Sequence, residues 1–178
     1  MMATNNHPIR SLHVLPAAMV LCLLLLSACS KQNEWAFDQI ESQHKEHSSS
    51  KLTFVPQDPY NGIYVDWVQT SDILKVYLTV NSTPIPPHQG EAKEAKVVFF
   101  IAGNNHTFIG YRFEGGQKIL LDETATHLLN ATLERGQNVT IALTGYRSTI
   151  HPKEFPQQIA KLYPTPKWKQ MIDSYLFF

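Results

Sequence analysis

Short runs in which apolar and polar residues alternate fill most of the chain after Leu52, and this pattern restricts the fold class more than any other feature. Two runs are especially regular: residues 62–68 carry Ile63, Val65 and Trp67, and residues 73–80 carry Leu74, Val76, Leu78 and Val80. Successive side chains of a β-strand point to opposite faces of the sheet, so a period of two predicts strands that each bury one face.

Other segments continue this β pattern. The run 96–102 is almost continuously apolar, which is typical of a central strand. Residues 106–114 predict a strand with Ile109, Tyr111 and Phe113 facing inward, and the segments 118–122 and 139–144 predict two more strands. The segment 127–133 fits a strand and a helix equally well.

Seven or eight short strands within about a hundred residues predict an all-β domain. We expect an antiparallel β-sandwich of immunoglobulin-like or transthyretin-like type, with a closed barrel as the alternative.

Short helices are predicted to follow the β-sandwich. Phe155, Ile159, Leu162 and Tyr163 share one side of a helix that Pro156 could open, and helical spacing resumes after Pro166. We expect this segment, residues 156–178, to cover a sheet face or an open edge.

The first thirty residues have the pattern of a secretory leader. Residues 1–13 are polar with Arg10 as their one full positive charge, and residues 14–26 form an uncharged apolar run. Small residues follow at Ser27 and Ala28. This order is that of a signal peptide, and the apolar run is shorter than the roughly 18 residues expected of a membrane-spanning helix.

The sequence Leu26-Ser27-Ala28-Cys29 resembles the lipobox of bacterial lipoproteins. The resemblance implies cleavage between Ala28 and Cys29 and attachment of lipid to the Cys29 thiol, so the protein would be held to a membrane of the bacterial cell envelope. Several acyl chains suffice for stable anchoring. Ser30 after the cysteine favours the outer membrane over the inner, with the domain facing the periplasm or the cell surface.

These patterns divide the chain into three parts. Residues 1–28 are the predicted cleaved signal peptide, and residues 29–51 are predicted to be the lipidated N-terminus followed by a flexible polar tether. Residues 52–178 are the predicted β-sandwich domain with its helical C-terminal segment.

Composition excludes several classes of function. The 15 basic and 15 acidic residues give no net charge, which argues against a nucleic-acid binder. The chain has two cysteines, of which Cys22 lies in the leader and Cys29 would carry lipid, so we expect no thiol catalysis and no disulfide. The sequence contains no nucleophile elbow, phosphate loop or zinc-protease motif. We therefore predict no enzymatic activity, no catalytic residues, no metal and no cofactor apart from the covalent lipid.

One loop has features of a partner-binding element. Residues 82–94 join two strongly apolar strands but are far longer than a hairpin turn. Pro84, Pro86 and Pro87 stiffen the first half, and Ile85 between them is expected to form an apolar tip. A stiff loop loses little entropy when it docks.

Three functions fit these observations. The first is a non-catalytic lipoprotein that binds another component of the envelope or of a secretion apparatus. The second is a small-ligand or metal-binding lipoprotein, with an apolar pocket between the sheets. The third is a small envelope enzyme whose catalytic groups are distant in sequence.

Overall fold

The computed structural model describes residues 34–40, 48–70 and 73–163, which form an all-β sandwich-like domain with short helices. The nine strands are β1 Trp35–Ile40, β2 Ser49–Phe54, β3 Tyr64–Thr70, β4 Ile73–Thr79, β5 Glu94–Ile101, β6 Asn104–Arg112, β7 Lys118–Leu120, β8 Val139–Leu143 and β9 Tyr146–Ile150. They pair antiparallel in the order β1-β2-β3-β4-β7-β6-β5-β8-β9. No helix in this part of the chain is long and apolar enough to cross a membrane.

The sheet curls so that its last strand meets the segment that leads into β3. The amide of Ile63 donates to Ser148 Oγ at 2.7 Å, and the amide of Arg147 donates to the carbonyl of Asn61 at 3.4 Å. Six positions separate β3 and β9 in the strand order, so only a strongly curved sheet brings them together. This curvature follows from the natural twist of β-sheets and encloses a single core.

The predicted alternation in β3, β4 and β8 is confirmed. Most apolar residues on the predicted inner side are buried: Ile63 before β3, Val65, Trp67, Val76, Leu78, Val80 after β4, Val139, Ile141 and Leu143. Leu74 is half-buried and packs against this core. In β5 the buried residues alternate with half-buried or exposed ones, so this internal strand is more completely covered on one face than on the other.

The inward face of β6 was predicted wrongly. Ile109 and Tyr111 are 39% and 46% exposed, whereas Phe108 and Gly110 lie on the core side. Phe113 is half-buried beside Tyr111 and Tyr77 and is not part of the core. The two-residue turn at Ala102-Gly103, with φ of 48° and 85°, fixes the register of the β5–β6 hairpin. That register places Phe108 opposite the buried Val97, and residues directly opposite one another share a face.

The segment that fitted both strand and helix is helical. Helix α1 spans Glu123–Glu134, and Asp122 caps it by accepting a hydrogen bond from the Ala125 amide at 2.7 Å. Trp67 of β3 donates its indole N–H to Asn130 Oδ1 of α1 at 2.8 Å. The helix therefore packs on the core side of the sheet.

The tether predicted for residues 29–51 needs correction where the structure describes it. Trp35–Ile40 form a strand, and β2 begins at Ser49, so the folded domain includes residues on the N-terminal side of Leu52. The physical reason is Trp35, which is only 8% exposed because it packs against the aromatic rings of Phe54, Trp67 and Phe155.

The C-terminal helices are short. Helix α2 spans Phe155–Ile159, between 3₁₀ turns at Pro152–Glu154 and Ala160–Leu162. Phe155, Ile159 and Leu162 are buried as predicted, but Tyr163 is 53% exposed. The part of the predicted helical segment after Tyr163 lies outside the described residues.

Candidate functional site

The segment predicted to bind a partner is an ordered loop between β4 and β5. We call residues 82–94 the proline loop. Its far end is a tight turn at Gln89-Gly90, where both residues have positive φ, of 51° and 89°, and His88 pairs with Glu91 across it. The loop therefore contains regular backbone hydrogen bonds of its own.

Tyr146 at the start of β9 holds the first residues of the proline loop. Its hydroxyl donates to the carbonyl of Thr83 and accepts from the Thr83 amide, both at 2.6 Å, and lies 2.9 Å from Ser82 Oγ. The Ser82 hydroxyl also donates to the carbonyl of Tyr60 at 2.8 Å. One buried phenol thus fixes both polar groups of the Thr83 backbone.

Arg112 at the end of β6 holds the two halves of the proline loop together. Its Nε donates to the carbonyl of Ile85 at 2.7 Å, and its Nη1 donates to the carbonyl of Ala92 at 3.1 Å. The guanidinium lies against Gly116, where any β-carbon would collide with it. The carbonyl of Gly116 accepts from the Ile85 amide at 2.9 Å, which joins the loop to the β6–β7 turn.

The expected apolar tip of the loop does not exist. Ile85 is 1% exposed and belongs to the hydrophobic core, whereas Pro84, Pro86 and Pro87 are exposed. The chain from Pro84 to Pro86 directs the isoleucine inward, and burying this side chain stabilises the domain by about 1.5–3 kcal/mol. The three prolines therefore contribute to the exposed surface of the loop, and Ile85 anchors the loop to the core.

A partly exposed aromatic cluster adjoins the loop on the outer face of the sheet, with Tyr111 exposed and Tyr77 and Phe113 half-buried. The ring of Phe113 lies 5.1 Å from that of Tyr111 and 6.1 Å from that of Tyr77, between ring centroids. Lys118 Nζ lies 4.5 Å from the centre of the Tyr77 ring. Tyr111 pairs with Glu94, the last residue of the loop, so the cluster and the loop are neighbours.

The other site residues predicted from sequence cannot be placed. Ala28 and Cys29, at the predicted cleavage and lipidation site, lie outside the described residues. Within the ranges that the structure describes, no three His, Cys, Asp or Glu side chains form a group that could hold a metal ion.

The sequence did not predict the two residues that hold the proline loop in place, Tyr146 and Arg112. Tyr146 and Arg112 are 63 and 27 positions from the loop residues to which they bond. No local motif marks them, because their role depends on strand pairing between distant segments.

Comparison of the chain with protein-family models, with curated proteins and with solved structures finds no match.

Proposed function

We propose that this protein is a non-catalytic lipoprotein of the bacterial envelope that binds another protein of the envelope or of a secretion apparatus. The proline loop is the proposed contact surface. The observation that carries the proposal is the rigid attachment of this exposed loop at both ends, by Tyr146 and by Arg112.

Rigid attachment favours binding because association then orders few additional groups. Each flexible side chain that is immobilised at an interface costs about 0.5–1.5 kcal/mol, and prolines lose almost no side-chain entropy. The neighbouring tyrosines and Phe113 supply the kind of side chain that is enriched at the centres of protein interfaces. Loops on a rigid sheet are a common place for recognition.

The anchoring part of the proposal rests on the lipobox-like sequence before Cys29. Lipid on this residue would hold the domain at a membrane surface and so restrict its partners to proteins of the same compartment.

Cys29→Ser removes the thiol that would receive the lipid. We expect the variant to lose labelling by a fatty-acid analogue and to accumulate as uncleaved precursor, measured by electrophoretic mobility. Normal processing of the variant would contradict the proposed anchor.

The loop is tested by changing its exposed prolines while keeping Ile85. The triple variant Pro84→Ala, Pro86→Ala, Pro87→Ala alters the contact surface and leaves the core intact. We expect co-purification of the native partner, after crosslinking in cells, to fall about tenfold. The domain should still fold, with a free energy of unfolding lower by about 1–3 kcal/mol because three prolines no longer restrict the unfolded chain.

A matched control is Pro156→Ala, which changes an exposed proline at the start of α2. The control should keep the full set of crosslinked proteins. If the triple variant also keeps them, the proline loop is not the contact surface.

A further inference from the structure

A second surface, separate from the proline loop, lies where the curled sheet fails to close. We call it the seam groove. It runs between the edge of β9 and the segment that leaves β2, and it has a volume of about 250 Å³. Its walls include Glu34, Pro56, Asp58, Gly62, Thr149 and His151.

The wall formed by β9 presents backbone groups without a neighbouring strand. In an antiparallel pair, alternate residues turn their N–H and C=O groups toward the partner strand or away from it. The Arg147 amide points away from β8, because it donates to Asn61. Thr149, two residues later, therefore also directs its N–H and C=O away from β8 and into the groove. No strand of the described residues pairs with β9 on this side.

The groove is preformed at its closed end. The Ile63 amide bonds to Ser148 Oγ, a hydroxyl whose residue is 7% exposed, which ties the leading segment of β3 to β9. Beside it, Gly62 is packed so closely that a β-carbon would collide with the carbonyl of Asp58 and with Pro56. Little rearrangement is needed before a ligand enters.

The lining of the groove carries two carboxylates, Glu34 and Asp58, together with the cationic side chain of Arg147 and the imidazole of His151. Hydrogen bonds to Asp58 from Asn61 and from the Tyr60 amide hold the pKa of this carboxyl below its usual range. Arg147 lines the groove as well, but its guanidinium stacks on Phe100, 4.7 Å from the centre of that ring. A cationic side chain entering the groove would therefore meet carboxylates.

We propose that the seam groove binds an extended segment of a partner protein, which pairs with the Thr149 backbone and places a lysine or arginine near Glu34 and Asp58. Addition of a strand to an exposed sheet edge is a common mode of peptide recognition. The volume of about 250 Å³ is below the roughly 300–1,000 Å³ of drug-sized ligand pockets. A short stretch of extended chain suits it better than a larger cofactor.

The test is selection of short random linear peptides, displayed on phage, against the full-length protein in detergent. We expect selected peptides to be rich in lysine and arginine. Thr149→Pro removes an amide that points into the groove and keeps pairing with β8 possible, since proline is tolerated at sheet edges. It should weaken binding of the selected peptides about tenfold, measured by fluorescence polarisation.

Two further variants keep the result interpretable. Glu34→Gln keeps shape and removes charge, and it should weaken binding severalfold even if Thr149→Pro folds poorly. Gln39→Pro is the matched control. The Val55 amide donates to the carbonyl of Glu34, so the backbone groups of Glu34 face β2. Because these groups alternate in direction along a strand, the N–H and C=O of Gln39 face the open edge of β1. This control should bind normally.

The proposal is overturned if no peptide is enriched, if Glu34→Gln and a folded Thr149→Pro bind as wild type, or if Gln39→Pro abolishes binding. The triple proline variant should bind the selected peptides normally. Loss of binding in that variant would place the peptides on the proline loop instead, and would leave the proposed function standing without the seam groove.

Discussion

At the scale of single residues, Tyr146 does more than fill space. It is 8% exposed, and its hydroxyl takes part in three polar contacts with the first two residues of the proline loop. Because Thr83 bonds to this hydroxyl through its backbone, the loop sequence can vary there without loss of the contact. The position of the loop depends on a residue of another strand.

Removing this hydroxyl should loosen the loop and destabilise the domain. We expect Tyr146→Phe to lower the free energy of unfolding by about 1–2 kcal/mol, because the part-buried hydrogen bonds to the Thr83 amide and carbonyl are lost. Hydrogen exchange of the Thr83 amide should become faster than in the wild type. Tyr60→Phe, at a side chain that is 71% exposed, is the control and should change neither quantity. If hydrogen exchange of the Thr83 amide is unchanged in Tyr146→Phe, the Tyr146 hydroxyl is not needed to hold the loop in place.

At the scale of secondary-structure elements, the packing of β6 against β7 depends on a single glycine. Gly110 is buried, and a β-carbon at this position would lie 2.5 Å from Ile119 Cγ2 and 3.1 Å from the carbonyl of Leu120. Ile119 is fully buried and cannot move aside easily. The missing side chain therefore lets the two strands approach within the core.

Gly110→Ala should be destabilising for this reason. Overpacking a dense core costs about 1–3 kcal/mol, which outweighs the small gain from a less flexible backbone. Chemical denaturation followed by tryptophan fluorescence measures the change. Thr107→Ala, at an exposed position of the same strand, is the matched control. Equal stability of the two variants would contradict the close approach of β6 and β7.

At the scale of the whole molecule, an aromatic cluster joins the two ends of the described domain. The rings of Trp35 in β1, Trp67 in β3 and Phe155 in α2 lie 5.4–5.8 Å apart, between ring centroids. Trp67 also bonds to Asn130 of α1. The N-terminal strand and the C-terminal helix thus stabilise one another through the same core.

Trp35→Ala should therefore affect the stability of the entire domain. We expect a loss of about 3–5 kcal/mol, as for other large aromatic residues removed from a core. Phe37→Ala, in the same strand but at a side chain that is 38% exposed, should cost clearly less. Both are measured by equilibrium unfolding in denaturant. If Trp35→Ala costs no more than Phe37→Ala, β1 is not an integral part of the domain.

Local sequence determined the β class and most strand positions, because the alternation of β3, β4 and β8 reflects burial of one face directly. The sequence also carries a local signal for α1, because Asp122 is a favourable N-cap. The apolar residues of that segment, taken alone, fitted a strand as well as a helix. The proline loop was recognisable by its length and prolines.

Only the tertiary structure decided which face of β6 is buried, that Ile85 points inward, and that Trp35 belongs to the core. The buried face of β6 depends on the register of its hairpin with β5. The other two depend on partners distant in sequence: Arg112, which holds Ile85 in place, and the rings of Trp67 and Phe155, which pack on Trp35. A side chain is buried when such partners surround it, and its own neighbours in sequence do not specify them.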